Sequence, residues 1–71
     1  MVETIYMPLL GEGTDVWAPI QAQRLDGARF RVLGPMPSDQ EWAFAPGAIV
    51  DTGEKTFSGG ARGIVALAIS N

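Results

Sequence analysis

Nine glycines and five prolines punctuate this 71-residue chain so often that no stretch of helical length keeps a clean 3.6-residue apolar period. Short strands joined by turns are what such punctuation permits. With 46% hydrophobic and 18% charged residues the chain still belongs among globular sequences, so its strands have to enclose a core.

The first strand is expected over Glu3 to Leu9, where Ile5, Met7 and Leu9 alternate with Thr4, Tyr6 and Pro8. Gly11 to Asp15 reads as a loop. A second strand, Val16 to Leu25, places Val16, Ala18, Ile20 and Ala22 on one face and Trp17, Pro19, Gln21 and Gln23 on the other. Asp26-Gly27 reads as a hairpin turn of type I′, in which both central residues take positive φ. The third strand, Ala28 to Leu33, turns Phe30 and Val32 inward and Arg29 and Arg31 outward.

Gly34-Pro35-Met36-Pro37 interrupts any ladder, because proline has no N–H to donate. Ser38-Asp39-Gln40-Glu41 has the spacing of a capping box and predicts one helical turn near Ser38 to Trp42. Pro46-Gly47 reads as a turn and Ala48 to Thr52 as the fourth strand. Further turns are expected within Asp51 to Thr56 and at Ser58-Gly59-Gly60, followed by a last strand from Arg62 to Ile69. Five or six short antiparallel strands spaced about 8–12 residues apart predict one all-β domain over residues 1–71, a small SH3-like barrel with one helical turn.

Two segments, Gly13-Thr14-Asp15-Val16-Trp17-Ala18-Pro19-Ile20-Gln21-Ala22 and Trp42-Ala43-Phe44-Ala45-Pro46-Gly47-Ala48-Ile49-Val50, carry a resemblance. They resemble a group of small bacterial proteins with a Val-Trp-Arg-Pro-Val-x-Ala segment, a Tyr or Phe strand and a Trp-Glu-Phe-x-Pro-Gly-x-x-Val segment. The resemblance covers about two thirds of the chain; it implies a small β-barrel and carries no activity with it. Ala18 stands where that pattern has arginine and Ala43 where it has glutamate, so a charge pair at these positions is absent here.

The chain has no cysteine and no histidine, which removes disulfides, the usual zinc ligands, thiol nucleophiles and imidazole acid–base chemistry. Lys55 with Ser58 reads as a solvated turn pair, and Asp39 and Glu41 as acids favoured by a helical first turn. Ser58 to Gly63 lacks the Gly-Lys-Ser/Thr ending of a phosphate loop. Glu12 and Asp15 lack the alternating oxygen ligands of a calcium loop. No enzyme, metal or cofactor is expected.

Period-two alternation instead puts Tyr6, Trp17 and Pro19 outside the barrel as a candidate partner-binding surface, since aromatic groups supply contact area at low entropic cost. A non-catalytic protein-binding or adaptor module is the expectation. The alternative is a barrel that binds single-stranded nucleic acid through Arg24, Arg29 and Arg31, which the net charge of −3 makes the less favoured partner.

Ile64 to Ile69 is apolar at every position, so both faces of the last strand seek cover. Either Gly34 to Phe44 folds over it or a second copy does. A core this small, with no disulfide or metal, favours the second copy. A homo-oligomer with Ile64, Val65, Leu67 and Ile69 at its contact is therefore expected. That same apolar run is far short of the roughly 20 residues that span a bilayer, and the amino terminus has no secretory pattern; a cytoplasmic location without membrane contact follows as the expectation.

Overall fold

In the computed structural model, residues 1–11 and 16–70 are described. Glu12 and Asp15, considered above as cation ligands, lie outside them. Five strands, β1 (Val2–Pro8), β2 (Trp17–Asp26), β3 (Arg29–Val32), β4 (Ile49–Thr56) and β5 (Arg62–Ile69), form a closed barrel in sequence order. Each strand is antiparallel to the next. An odd number of alternating directions brings the first and last strands together pointing the same way, so the expectation of antiparallel pairing throughout is corrected at the closing seam. There Tyr6 pairs with Val65 in parallel.

The inward faces follow the period-two pattern. Ala18, Ile20 and Ala22 of β2 are buried while Pro19 and Gln21 are exposed. Ile5 and Met7 of β1, Ile20 and Ala22, Phe30 and Val32 of β3, Val50 of β4, Ala66 of β5 and Trp42 form one core cluster. Among the described residues no polar or charged residue is buried, so the core is apolar throughout.

Residues 33–48 leave the ladder after β3 and rejoin it, since Gly47 N donates to Val32 O at 2.8 Å and Val32 N to Ala48 O at 2.8 Å. Between these points the chain closes one end of the barrel. Trp42 bridges Leu9, Leu10 N donates to Glu41 O at 2.8 Å and Ala43 N to Pro8 O at 3.0 Å. The helical turn expected near Ser38 to Trp42 is not formed. Ser38 and Asp39 make a turn in which Gln40 N donates to Pro37 O at 3.2 Å, and the chain then extends. A capping box stabilises a helix only if one propagates behind it, and here Trp42 enters the core and Pro46 follows closely. Ala18 is buried and Ala43 packs against the core, so both sites of the missing charge pair are apolar surroundings.

Two turns differ from expectation. Asp26 pairs with Arg29, leaving Gly27 and Ala28 as the hairpin turn, and neither has positive φ; a type I′ turn at Asp26-Gly27 is thereby ruled out. Register changes between Arg24 and Asp26, making Leu25 a bulge residue that re-aims the strand before the turn. Asp51 to Thr56 holds no turn either: β4 runs on to Thr56, paired with β5 as far as Arg62. Ladder pairing outweighs the turn composition there. The reversal falls at Phe57 to Ala61, with Phe57 N donating to Ala61 O at 2.7 Å and Gly59 and Gly60 at φ of 89° and 88°.

A second register shift decides the fate of β5. Asp51 faces Ala68 but Thr52 faces Ala66, so Leu67 is the extra residue of a bulge. Ile64 and Ala66 meet the core. Val65, opposite Tyr6, is nonetheless 2% exposed, whereas Leu67 and Ile69 are 58% and 51% exposed.

Candidate functional site

The outer wall carries an aromatic cluster built from three strands. Tyr6 sits opposite Pro19 on one side and Val65 on the other, and Trp17 sits opposite Pro8. Phe57, the residue after β4, completes it. Its ring centroid lies 4.9 Å from that of Tyr6 at 55°, and 6.3 Å from that of Trp17 in an edge-on arrangement at 77°. These separations fall in the favourable range for aromatic pairs. The Lys55 ammonium stands 5.7 Å from the Trp17 ring and 5.9 Å from the Phe57 ring, within cation–π reach of both.

Gly63 of β5 makes room for this arrangement. A Cβ at that position would stand 2.6 Å from the Tyr6 ring and 3.2 Å from the Phe57 ring. Tyr6, Trp17, Lys55 and Phe57 are half-buried and Pro19 is exposed. One polar atom is left over: the indole Nε1 of Trp17 is buried and has no acceptor among the described residues.

The structure brings Tyr6, Trp17 and Pro19 together. Sequence reasoning did not reach Phe57 and Lys55, because Asp51 to Thr56 reads as a turn. Continued alternation through Gly53, Lys55 and Phe57 is the signal that puts these side chains outside the barrel.

Arg24, Arg29 and Arg31 are not gathered into one surface. Arg24 lies over the Phe30 ring at 4.6 Å, donates to both carboxylate oxygens of Glu3, at 2.9 Å to Oε1, and also to Gly27 O. This hydrogen-bonded guanidinium, with its charge, outweighs desolvation and holds the Glu3 carboxyl below its ordinary range. Arg29 pairs with Asp26, lowering that carboxyl in the same way. Arg31, exposed on β3, forms no ion pair among the described residues. A cleft of about 220 Å³ opens beside Arg24 and Phe30, lined also by Ala28, Thr52, Glu54 and Ile64. Arg62 pairs with Glu54 at its edge.

Of the residues considered for an oligomer contact, Leu67 and Ile69 are exposed, Ile64 is half-buried against the core and Val65 is enclosed. Gly34 to Phe44 is bonded to Pro8, Leu9 and Leu10 at the barrel end. Among the described residues no three acidic side chains converge as metal ligands, and no helix is long and apolar enough to cross a membrane. Comparison with known protein families, curated proteins and solved structures finds no match to this chain.

Proposed function

We propose that this chain is a non-catalytic protein-binding module, an adaptor of the SH3-like small-barrel kind, whose working surface is Tyr6, Trp17 and Pro19 completed by Phe57. The observation that carries the reading is the position of the aromatic cluster outside a barrel whose interior is already filled. Phe30, Ile5, Met7, Val32 and Val50 fill that interior, and none of the cluster's aromatic rings is among them. The five-stranded order supports the SH3-like assignment. Single-stranded nucleic acid is the weaker reading, since Arg24 and Arg29 are committed to Glu3 and Asp26.

Capture of partners from the source cell, with wild-type chain beside Tyr6→Ala and Trp17→Ala, tests this function. Both variants should keep the wild-type circular dichroism spectrum and lose the captured protein. Capture unchanged in folded variants refutes the reading. For assembly we propose a homo-oligomer in which a second copy covers Leu67 and Ile69. Sedimentation over a concentration series should show association that Leu67→Glu abolishes, and a wild-type monomer throughout refutes it.

A further inference from the structure

The outer cluster presents a cation, and the side chains of Tyr6, Trp17, Pro19, Lys55 and Phe57 include no carboxylate. Arg24, Arg29 and Arg62 are each held by a carboxylate, from Glu3, Asp26 and Glu54 respectively. Lys55 is held by rings instead. Its ammonium lies near Trp17 and Phe57 and has no ion-pair partner among the described residues. Half-buried against aromatic surface, this charge is screened less by water than one standing free in solvent.

Three consequences set the chemistry of a ligand here. An approaching cation meets the like charge of Lys55 at rings already engaged by it. A carboxylate meets an ammonium that no carboxylate among the described residues pairs. Because the chain as a whole carries −3, attraction for an acid is local to Lys55 rather than a property of the whole surface. Pro19, Tyr6 and Phe57 offer apolar area beside this ammonium.

We propose that the partner segment is an extended acidic peptide, in which an Asp or Glu engages Lys55 while an adjacent large apolar side chain packs on Tyr6, Phe57 and Pro19. This deepens the protein-binding reading and rests on it. The acid supplies specificity and the apolar neighbour supplies most of the contact area.

The test uses the full chain to select from a random-peptide display library, then measures one enriched peptide by fluorescence polarisation. Enriched peptides should share an Asp or Glu next to a large apolar residue. Lys55→Gln should weaken binding about tenfold, as should Asp→Asn or Glu→Gln in the peptide, and the two changes together should cost little more than either alone. Raising ionic strength should weaken the wild-type complex and barely affect the Lys55→Gln complex. Enriched peptides without an acid, or indifferent to Lys55→Gln, overturn the inference; if Trp17→Ala and Pro19→Ser still abolish their binding, the protein-binding surface stands. Failure to enrich, or peptides blind to both Trp17 and Pro19, overturns both. Pro19 is exposed, so its variant remains informative even if Trp17→Ala does not fold.

Discussion

The chain has two tryptophans, and the fold uses them in opposite ways. Trp42 is 7% exposed, belongs to the core cluster, and donates its indole N–H to Gln40 Oε1 at 3.0 Å. Trp17 stands on the outer wall beside Phe57 and Lys55, and its indole N–H has no acceptor among the described residues. Buried polar groups are normally satisfied when a site is optimised for stability alone. Trp42 therefore behaves as the plug of the barrel end, and Trp17 as a member of an outer cluster whose indole N–H the described residues leave unpaired.

The largest expected effect breaks the plug. Trp42→Ala removes an indole from a core with little to spare and should cost about 3–5 kcal/mol, comparable to the net stability of a domain this small. Far-UV circular dichroism should show an unfolded chain, and a urea midpoint close to wild type would remove Trp42 from the structural role. Next comes Gly63→Ala, which drives a methyl group to 2.6 Å from the Tyr6 ring. Displacing that ring and its Phe57 neighbour should cost about 1–3 kcal/mol and reduce partner capture along with it. Gly53→Ala is the control: its Cβ meets only the end of the exposed Leu67 side chain, at 3.0 Å, and should cost much less. Equal urea midpoints for the two alanine variants would show that the Tyr6 ring does not depend on Gly63.

Why one tryptophan was legible and the other only half so follows from the patterns around them. Alternation through Val16 to Ala22 separates Ala18, Ile20 and Ala22 from Trp17 and Pro19, and β2 obeys it because one wall faces a filled interior. Around Trp42 the local signal pointed to a helical turn. Tertiary contact with Leu9 and the core overrode it, which no spacing between Ser38 and Glu41 reveals. The outer cluster was legible only in Tyr6, Trp17 and Pro19, for Phe57 joins through a strand whose Asp-Thr-Gly-Glu-Lys composition resembles a turn. β5 hid a bulge: six consecutive apolar residues give no sign that Leu67 is the one without a partner opposite.

A smaller effect separates both tryptophans from the barrel's electrostatics. Glu3 and Asp26 titrate below their ordinary range because Arg24 and Arg29 hydrogen-bond to their ionised forms. A carboxyl lowered in the folded state binds its proton more tightly once unfolded. Its contribution is thus complete above the ordinary carboxylate range and is lost as pH falls through the lowered folded values. Urea midpoints should decline on the acid side, and Glu3→Gln should flatten part of that decline. Because the hydrogen-bond partners of these carboxylates are Arg24 and Arg29 and neither tryptophan, Trp17→Phe should leave the slope unaltered; a changed slope would link the outer cluster to the ion pairs.

The smallest expected effect, that at Trp17, gives the sharpest comparison when the same substitution is made at both tryptophans. Trp42→Phe loses the hydrogen bond to Gln40 and part of the core volume, and should cost about 1–3 kcal/mol. Trp17→Phe removes a buried donor that has no acceptor among the described residues, which relieves a desolvation cost, while giving up some of the edge-on contact with Phe57. These two terms oppose each other. The urea midpoint of Trp17→Phe should correspond to a change within about 0.5 kcal/mol of zero, even though the same exchange weakens the barrel at Trp42. A loss at Trp17 as large as that at Trp42 would mean that its indole N–H has an acceptor in solution and that the outer cluster is part of what holds the fold together. Near-neutral stability with weakened peptide binding would instead show that the indole, unlike its counterpart in the plug, acts through a contact made only with the partner.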